Sequence, residues 1–320
     1  MNDTGHAPLT AADDNFHTLS DDPWETETCW FSFNVPERNL AGWLYAWVRP
    51  NLNNCGGGVF VYDDTGVASW DLPYFQYQHT QPLPAERDLR DFTFPNNYSV
   101  KMIEPLQRYK LFYKDREHIT VDLEFNAIQP PHQFPKGAPP FDKSGHLDQA
   151  GHVTGTILLR GETLKVDCMA TRDRSWGVRQ DHRGSRLGYS FGTASASDSF
   201  CAFVLPQKLD AEGREVMYHG NLVRDGRVSS IKSGWRTVER DPKTNYITSM
   251  TIAGVDEEGR KFRVIGTVVS RMLFSVPRGT TLNSMLHWTF DNGVEFHGED
   301  QDVWRYDQWR TAMDDLRKNA

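Results

Sequence analysis

The feature that most constrains the fold of this chain is the regular recurrence of short segments in which apolar and polar residues alternate. Residues 119–125 read Ile-Thr-Val-Asp-Leu-Glu-Phe, and a period of two places the apolar side chains on one face of a half-buried β-strand. Similar segments recur every 8 to 12 residues or so, separated by turn signals such as Asp225-Gly226. This spacing is typical of β-sandwiches and β-barrels.

Length and composition indicate a globular protein with two domains of ordinary size or one large domain. The chain has 320 residues, of which 38% are hydrophobic and 24% charged, and this length suffices for two ordinary cores. The proline-rich stretch 128–145 cannot be a helix or a central strand, and apolar residues recur at helical spacing only within 306–318. We therefore predict an all-β chain with a flexible arm over 1–22, a β-domain over 23–175, and a second β-domain with a terminal helix over 176–320.

Charge and motifs limit the partners that this chain is expected to have. A net charge of -8 argues against nucleic acid or an anionic membrane as the main partner. Spans of about 20 apolar residues are absent, and the N-terminus lacks the features of a secretory signal. The four cysteines fit no zinc or redox spacing, and no nucleotide-binding motif is present. We expect a cytoplasmic protein with no cofactor, metal or membrane insertion, and leave a homodimer open.

A charged segment at the middle of the chain, residues 170–184, holds the strongest candidates for chemistry. It packs four Arg, two Asp, one His and one Trp into 15 positions between two strand-like stretches. Transfer of a proton to a bound substrate needs a buried acid with a raised pKa, for which Asp173 is the natural candidate. Trp176 could desolvate that acid and stabilise a developing positive charge, and His182 could shuttle protons. Arg172 or Arg179 could set the charge state of Asp173, or hold a substrate carboxylate or enolate.

A structural interpretation of the same segment stays open. Asp173 could instead be paired with arginine in a salt-bridged corner that ties the two halves of the chain together. It would then be ionised, with a low pKa, and useless as an acid.

Further candidates lie outside this segment. In residues 294–299, Glu295, His297 and Glu299 share one face of a predicted strand, which could be an acid–base group, a metal site or a solvated surface. His146 and Gln149 are expected to line the same pocket as Asp173. Trp70 and Tyr74 belong to an aromatic stretch that we expect to be a loop, either closing a pocket over the substrate or packing on the surface.

The segment resembles a known group of proteins. The resemblance rests on Gly155, Gly161 and the run Thr171-Arg-Asp-Arg-Ser-Trp-Gly-Val-Arg179, preceded by His146 and Asp148-Gln149. It is similar to the hydroxyneurosporene synthase (carotenoid 1,2-hydratase) and AttH-like superfamily, in particular to bacterial members with an Arg-Asp-x-Ser-Trp-Gly motif. The resemblance extends over about residues 25–305 and is strongest at 146–180. Arg174 stands where many relatives have His.

This resemblance implies a fold and a class of reaction. The fold would be two tandem lipocalin-like antiparallel β-barrels around an apolar ligand site near their junction. The reaction would be a cofactor-free hydration, dehydration, isomerisation or cyclisation at a C=C bond of a terpenoid, polyketide or phenolic. Glu299 follows Gly298 as a Glu follows a Gly in relatives, which adds it to the candidate catalytic residues. The alternative function is a carrier that binds a hydrophobic small molecule without chemistry.

Overall fold

The chain folds into two β-rich units. The structure is a computed structural model, and it describes residues 9–17, 20–86, 88–134, 144–179, 186–276 and 279–319. One unit comprises Met1–Tyr62 and Leu72–Gln180, and the other comprises Asp63–Asp71 and Asp181–Ala320. The sequence predicted a division at residue 175, whereas the structure places it at residue 180 and assigns the short segment Asp63–Asp71 to the second unit.

The first unit is built on one curled antiparallel sheet of eleven strands. Its neighbouring strands run in the order β4-β3-β2-β1-β11-β10-β8-β7-β6-β5, with β9 paired to β10. The strands are β1 (Glu25–Val35), β2 (Leu40–Arg49), β3 (Asn54–Tyr62), β4 (Tyr74–Pro82), β5 (Asp91–Thr93), β6 (Ser99–Glu104), β7 (Arg108–Asp115), β8 (Ile119–Ala127), β9 (His132–Gln133), β10 (Ser144–Leu159) and β11 (Glu162–Val178).

Alternation in the sequence decides which face of this sheet forms the core. In β8 the side chains of Ile119, Val121, Leu123 and Phe125 are buried while those between them are more exposed, as the period of two predicts. Together with the buried residues of β1, β7 and β11 they form one hydrophobic cluster. The sheet therefore has a core face, defined by this cluster, and an opposite face.

The second unit is a closed barrel of eight antiparallel strands followed by a helix. The strands are β12 (Leu187–Thr193), β13 (Ser199–Leu209), β14 (Glu215–Arg224), β15 (Arg227–Arg240), β16 (Ile247–Asp256), β17 (Lys261–Val276), β18 (Gly279–Phe290) and β19 (Glu295–Arg305), and the helix is α1 (Tyr306–Asn319). Asp225 and Gly226, which join β14 to β15, both have positive φ angles, 55° and 70°. This is the type I′ hairpin turn that their sequence predicts.

Buried charges occupy part of the barrel. The Arg236 guanidinium, which is fully buried, donates to Glu215 Oε2 at 2.6 Å and to Asp300 Oδ1 at 2.7 Å. Asp302 is similarly held, by Arg186 at 2.6 Å and by Arg240 at 2.8 Å. Paired in this way, the charges can be buried without the full desolvation cost of isolated ions.

The prediction of an all-β fold with barrel-type sheets and a C-terminal helix is confirmed. The second unit closes into a barrel, whereas the first is an open, curled half-barrel. Within the described residues, no helix is long and apolar enough to cross a membrane.

Two local predictions were wrong. The flexible arm expected over 1–22 has an ordered part, because 9–17 include a 3-10 helix, Ala11–Asp14, with a capping box at Thr10 and a buried Asp14. The loop expected around Tyr74 is instead strand β4. Most of the proline-rich stretch, 135–143, lies outside the described residues.

Candidate active site

The candidate site is formed by the hairpin of β10 and β11. These strands pair without a register shift from Leu159↔Glu162 to Ser144↔Gly177. Arg160 and Gly161 join them in a two-residue turn with φ angles of 49° and 86°. Because the pairing is continuous, the turn determines which residues of the two strands lie opposite each other.

The alternation of β11 continues without interruption into the charged segment. Leu164, Val166, Cys168 and Ala170 belong to the core cluster. Continuing in steps of two, Arg172 and Arg174 fall on that same core face, and Asp173 and Ser175 fall on the opposite face. The sequence motif is therefore divided between the two sides of the sheet.

On the face opposite the core, Asp173 lies within a cluster of polar side chains. The register places Asp148 directly opposite Asp173, and His146 directly opposite Ser175. His146 Nδ1 lies 2.8 Å from Ser175 Oγ, and its Nε2 lies 3.1 Å from Asp148 Oδ1. A neutral imidazole can satisfy both contacts by donating from Nε2 to Asp148 and accepting the Ser175 hydroxyl proton at Nδ1. His132 joins the cluster from β9, where it pairs with Asp148.

The members of this cluster differ in exposure and in acidity. His146 and Asp148 are buried, whereas Asp173 is only half-buried, so a small molecule has better access to Asp173. Burial raises the pKa of Asp173 to about 6; His146, Arg179 and Arg172 lower it, and the Asp148 charge raises it further. Burial also lowers the pKa of His132. A carboxyl group of this kind exchanges its proton near neutral pH, as a general acid must.

One atom each from His146, Asp148 and Asp173 lie within 4.8 Å of one another. This spacing is close enough for the three side chains to share a proton or a cation. It is the one such group of three found among the described residues.

Aromatic side chains adjoin Asp173 on the same face of the sheet. Trp30 of β1 is the direct cross-strand neighbour of Asp173. Its ring meets Trp43 edge-on at 5.2 Å, and the aromatic contacts continue to Phe60. The carboxyl group is thus bordered on one side by polar groups and on the other by aromatic ones.

The two arginines on the core face are held by the N-terminal segment. Arg172, 1% exposed, pairs with Asp14 at 3.2 Å and donates to Gln149 Oε1 at 2.7 Å. Arg174 pairs with Glu27 at 2.7 Å and donates to the backbone carbonyls of residues 13 and 15. Arg172 and Arg174 therefore form ion pairs with Asp14 and Glu27 of the same unit and not with Asp173.

Several predicted site residues lie on this core face and are therefore separated from Asp173 by the sheet. Trp176 stacks on His17 with ring centroids 4.1 Å apart, so the prediction that it desolvates Asp173 is not supported, and Trp30 lies in the position expected for it. Gln149 was expected to share a pocket with His146 but contacts Arg172 instead. Arg172, predicted to bind substrate, is occupied by Asp14 and Gln149.

The remaining candidates lie in other places. The Tyr74 hydroxyl is in the core, 2.6 Å from that of Tyr113, and it donates to Asp115 at 2.9 Å. Trp70 is 82% exposed and belongs to the second unit, as does Glu299, which is buried in β19 opposite Phe191. Arg179 follows β11 and lowers the pKa of Asp173. His182 lies outside the described residues.

Sequence reasoning did not select Asp148, Ser175 or His132 for the site. Asp148 and Ser175 could have been selected from the sequence, because each lies two residues from a candidate, His146 or Asp173, and therefore on the same face of its strand. Asp14 carried no such signal, since its contacts come from distant strands.

Fold and site together define an all-β protein with a half-buried carboxyl group beside a His–Asp pair. The chain belongs to the family described as a domain of unknown function, DUF7064, whose model matches residues 10–298. No curated protein sequence matches the chain.

Solved structures share the fold at low sequence identity. An AttH-like protein from Nitrosomonas europaea aligns with a TM-score of 0.67 and 12% identity, over 94% of this chain and 98% of that one. Kievitone hydratase from Nectria haematococca aligns with a TM-score of 0.56 and 12% identity, over 89% and 90%. CghA bound to Sch210972 aligns with a TM-score of 0.59 and 12% identity, over 88% and 89%. These similarities agree with the fold that the resemblance implied.

Proposed function

We propose that this protein is a cofactor-independent hydratase, dehydratase or isomerase that acts at a C=C bond of an apolar small molecule, with Asp173 as the proton donor. The observation that carries the proposal is the position of Asp173. It is half-buried beside Asp148 and His146, while Arg172 turns to the other face and pairs with Asp14. An acid that forms no ion pair with Arg172, and whose pKa burial raises to about 6, can hold and release a proton at physiological pH.

The surrounding groups suit such a proton transfer. Asp173 would protonate one alkene carbon and leave a carbocation or an enol on the substrate. The π-face of Trp30 could stabilise positive charge, and the Asp148 carboxylate opposes a second negative charge at Asp173. Water addition, or proton loss from a neighbouring carbon, would complete a hydration or an isomerisation and return the proton to Asp173.

The structural neighbours support the reaction class without specifying the substrate. One of them is a hydratase, and another was crystallised with the small molecule Sch210972. The proposed substrates are terpenoids, polyketides or phenolics with a conjugated or trisubstituted alkene.

The test is proton transfer to carbon in D₂O. The protein would be incubated with a panel of such alkenes, and deuterium incorporation or water addition followed by mass spectrometry. We expect Asp173→Asn to lower the rate by roughly 10²–10⁴-fold, which is what general acid catalysis contributes. Asp167→Asn is a matched control on the same face of β11, where Asp167 contacts exposed His152 at 2.8 Å, and it should retain full activity.

Two outcomes would contradict the proposal. Unchanged turnover in the folded Asp173→Asn variant would exclude Asp173 as the acid. A ligand that co-purifies with the protein and is never converted, in H₂O or D₂O, would favour the carrier function instead.

A further inference from the structure

Strand β11 carries opposite charges on its two faces at consecutive positions. Asp173 faces the candidate site, and Arg172 faces the core, where it is 1% exposed. The partner of Arg172 comes from far away in the sequence: Asp14, in the 3-10 helix of the N-terminal segment, lies 3.2 Å from its Nη1. An arginine charge directly behind the site is thus balanced by a carboxylate from the other end of the unit.

The Asp14 carboxylate is fixed by more than this ion pair. The Tyr109 hydroxyl donates to both of its oxygens, at 2.8 and 2.7 Å, and the Leu106 backbone N–H donates to Oδ2 at 2.6 Å. Arg172 in turn lies over the Tyr109 ring, 4.2 Å from its centroid. The buried Asp14 carboxylate is thus surrounded by donors, and the Arg172 guanidinium donates to Asp14 and to Gln149, which fixes the pair in one arrangement.

We propose that Asp14 is a positioning residue for the candidate site on the opposite face of the sheet. By pairing with Arg172 it holds that guanidinium in the core and offsets part of its charge, so that Asp173 can carry a proton. The functional meaning of this role rests on the proposed proton transfer, whereas the electrostatic effect itself can be measured without any substrate.

The sign of the effect follows from the groups around Asp173. The charges of His146 and Asp148 act on Asp173 from β10, and those of Arg172 and Arg179 act on it from β11 and the residue that follows it. His132 of β9 interacts with Asp148 and His146. Trp30, its neighbour on β1, carries no charge. If Asp14 were neutral, the unbalanced Arg172 charge would favour the Asp173 carboxylate. If Arg172 were neutral, the unbalanced Asp14 charge would favour the protonated acid.

The experiment is a charge cycle read by the titration of one carboxyl group. Asp14→Asn, Arg172→Gln and the double variant would be labelled with ¹³C-aspartate, and the Asp173 resonance, assigned with Asp173→Asn, followed from pH 3 to 9 by NMR. We expect the Asp173 midpoint to fall in Asp14→Asn and to rise in Arg172→Gln, each by roughly half a pKa unit to one unit. In the double variant it should return close to the wild-type value.

A control separates this effect from a general change in charge. Glu124→Gln removes a carboxylate from the exposed Arg108–Glu124 pair of the same unit, where screening by solvent is strong. The Asp173 midpoint should not move in this variant.

Unmoved midpoints in both single variants, or shifts of the same sign, would overturn the inference. Asp14→Asn leaves a buried arginine without its carboxylate, which can prevent folding; in that case the upward shift in Arg172→Gln decides. Failure of the proposed function gives a different result. A wild-type Asp173 that titrates near pH 4 would contradict its role as the acid, whatever shifts the variants show.

Discussion

Replacing Asp173 by asparagine should stabilise the protein, and the gain should depend on pH. The pKa of Asp173 is raised from 3.8 to about 6 by burial. The folded state therefore binds this proton more tightly than the unfolded state, and stability is greatest below pH 4 and is lost as the pH rises towards 6. A shift of this size corresponds to about 2 to 3 kcal/mol at 1.36 kcal/mol per unit. Asparagine removes the cost of ionisation.

The assay is urea-induced unfolding of the wild type and Asp173→Asn at pH 4, 5, 6 and 7. The free energy of unfolding of the variant, relative to the wild type, should increase by about 2 to 3 kcal/mol across this range and stay constant above it. Asp167→Asn is again the control. Its effect on the free energy of unfolding should depend on pH in the opposite direction, because hydrogen bonds from Lys165 and His152 lower the pKa of Asp167. Wild-type Asp167 thus favours folding at higher pH, and its variant should gain nothing there.

A difference in free energy of unfolding between wild type and Asp173→Asn that does not vary between pH 4 and 7 would refute a raised pKa at Asp173. A wild type that gains stability over the variant as the pH rises would show that the pKa of Asp173 is lowered. Asp173 would then be an ionised member of a salt bridge, as in the structural interpretation of the motif.

Two further predictions concern the barrel and metals. A Cβ at Gly188 would lie 2.3 Å from Arg236 Nη2 and 2.6 Å from its Cζ. Gly188→Ala should therefore displace this buried guanidinium and lower the free energy of unfolding of the second unit by about 3 kcal/mol or more. In the control Gly213→Ala, where nothing lies within 4 Å, the loss measured by urea unfolding should be about 1 kcal/mol, from backbone strain alone. Dialysis against EDTA should leave turnover unchanged, and a loss of activity restored by Zn²⁺ would instead show that His146, Asp148 and Asp173 act on a bound cation.

Most of the fold followed from local sequence patterns. The alternation in 119–125 and the Asp-Gly turn at 225 correspond to a strand and a hairpin because their causes, side-chain direction and backbone sterics, act within a few residues. The ordered N-terminal segment could not be predicted in the same way. Its polar sequence has no period, and the groups that Asp14 contacts, among them Tyr109 and Arg172, come from strands distant in sequence.

Strand geometry explains why the predicted grouping around Asp173 differs from the one in the structure. The sequence analysis assigned Arg172 and Trp176, the neighbours of Asp173 in sequence, as its partners, whereas Arg172 contacts Gln149 and Trp176 stacks on His17. In a strand, residues at odd separations face opposite sides, so neither can share its face. Counting by two from Ala170, or from His146 to Asp148, gives the grouping that the structure shows.

The unbroken register of β10 and β11 has a consequence for how the site forms during folding. Every side chain of the polar cluster on these strands comes into place when one hairpin zips up from its Arg160-Gly161 turn, with no contribution from distant chain segments to the pairing. Hairpins form in about 1–10 μs, long before a sheet with distant strand contacts is complete. A slip of one residue would place Arg174 or Trp176 opposite His146 in place of Ser175, so the polar cluster depends on the register of this one hairpin.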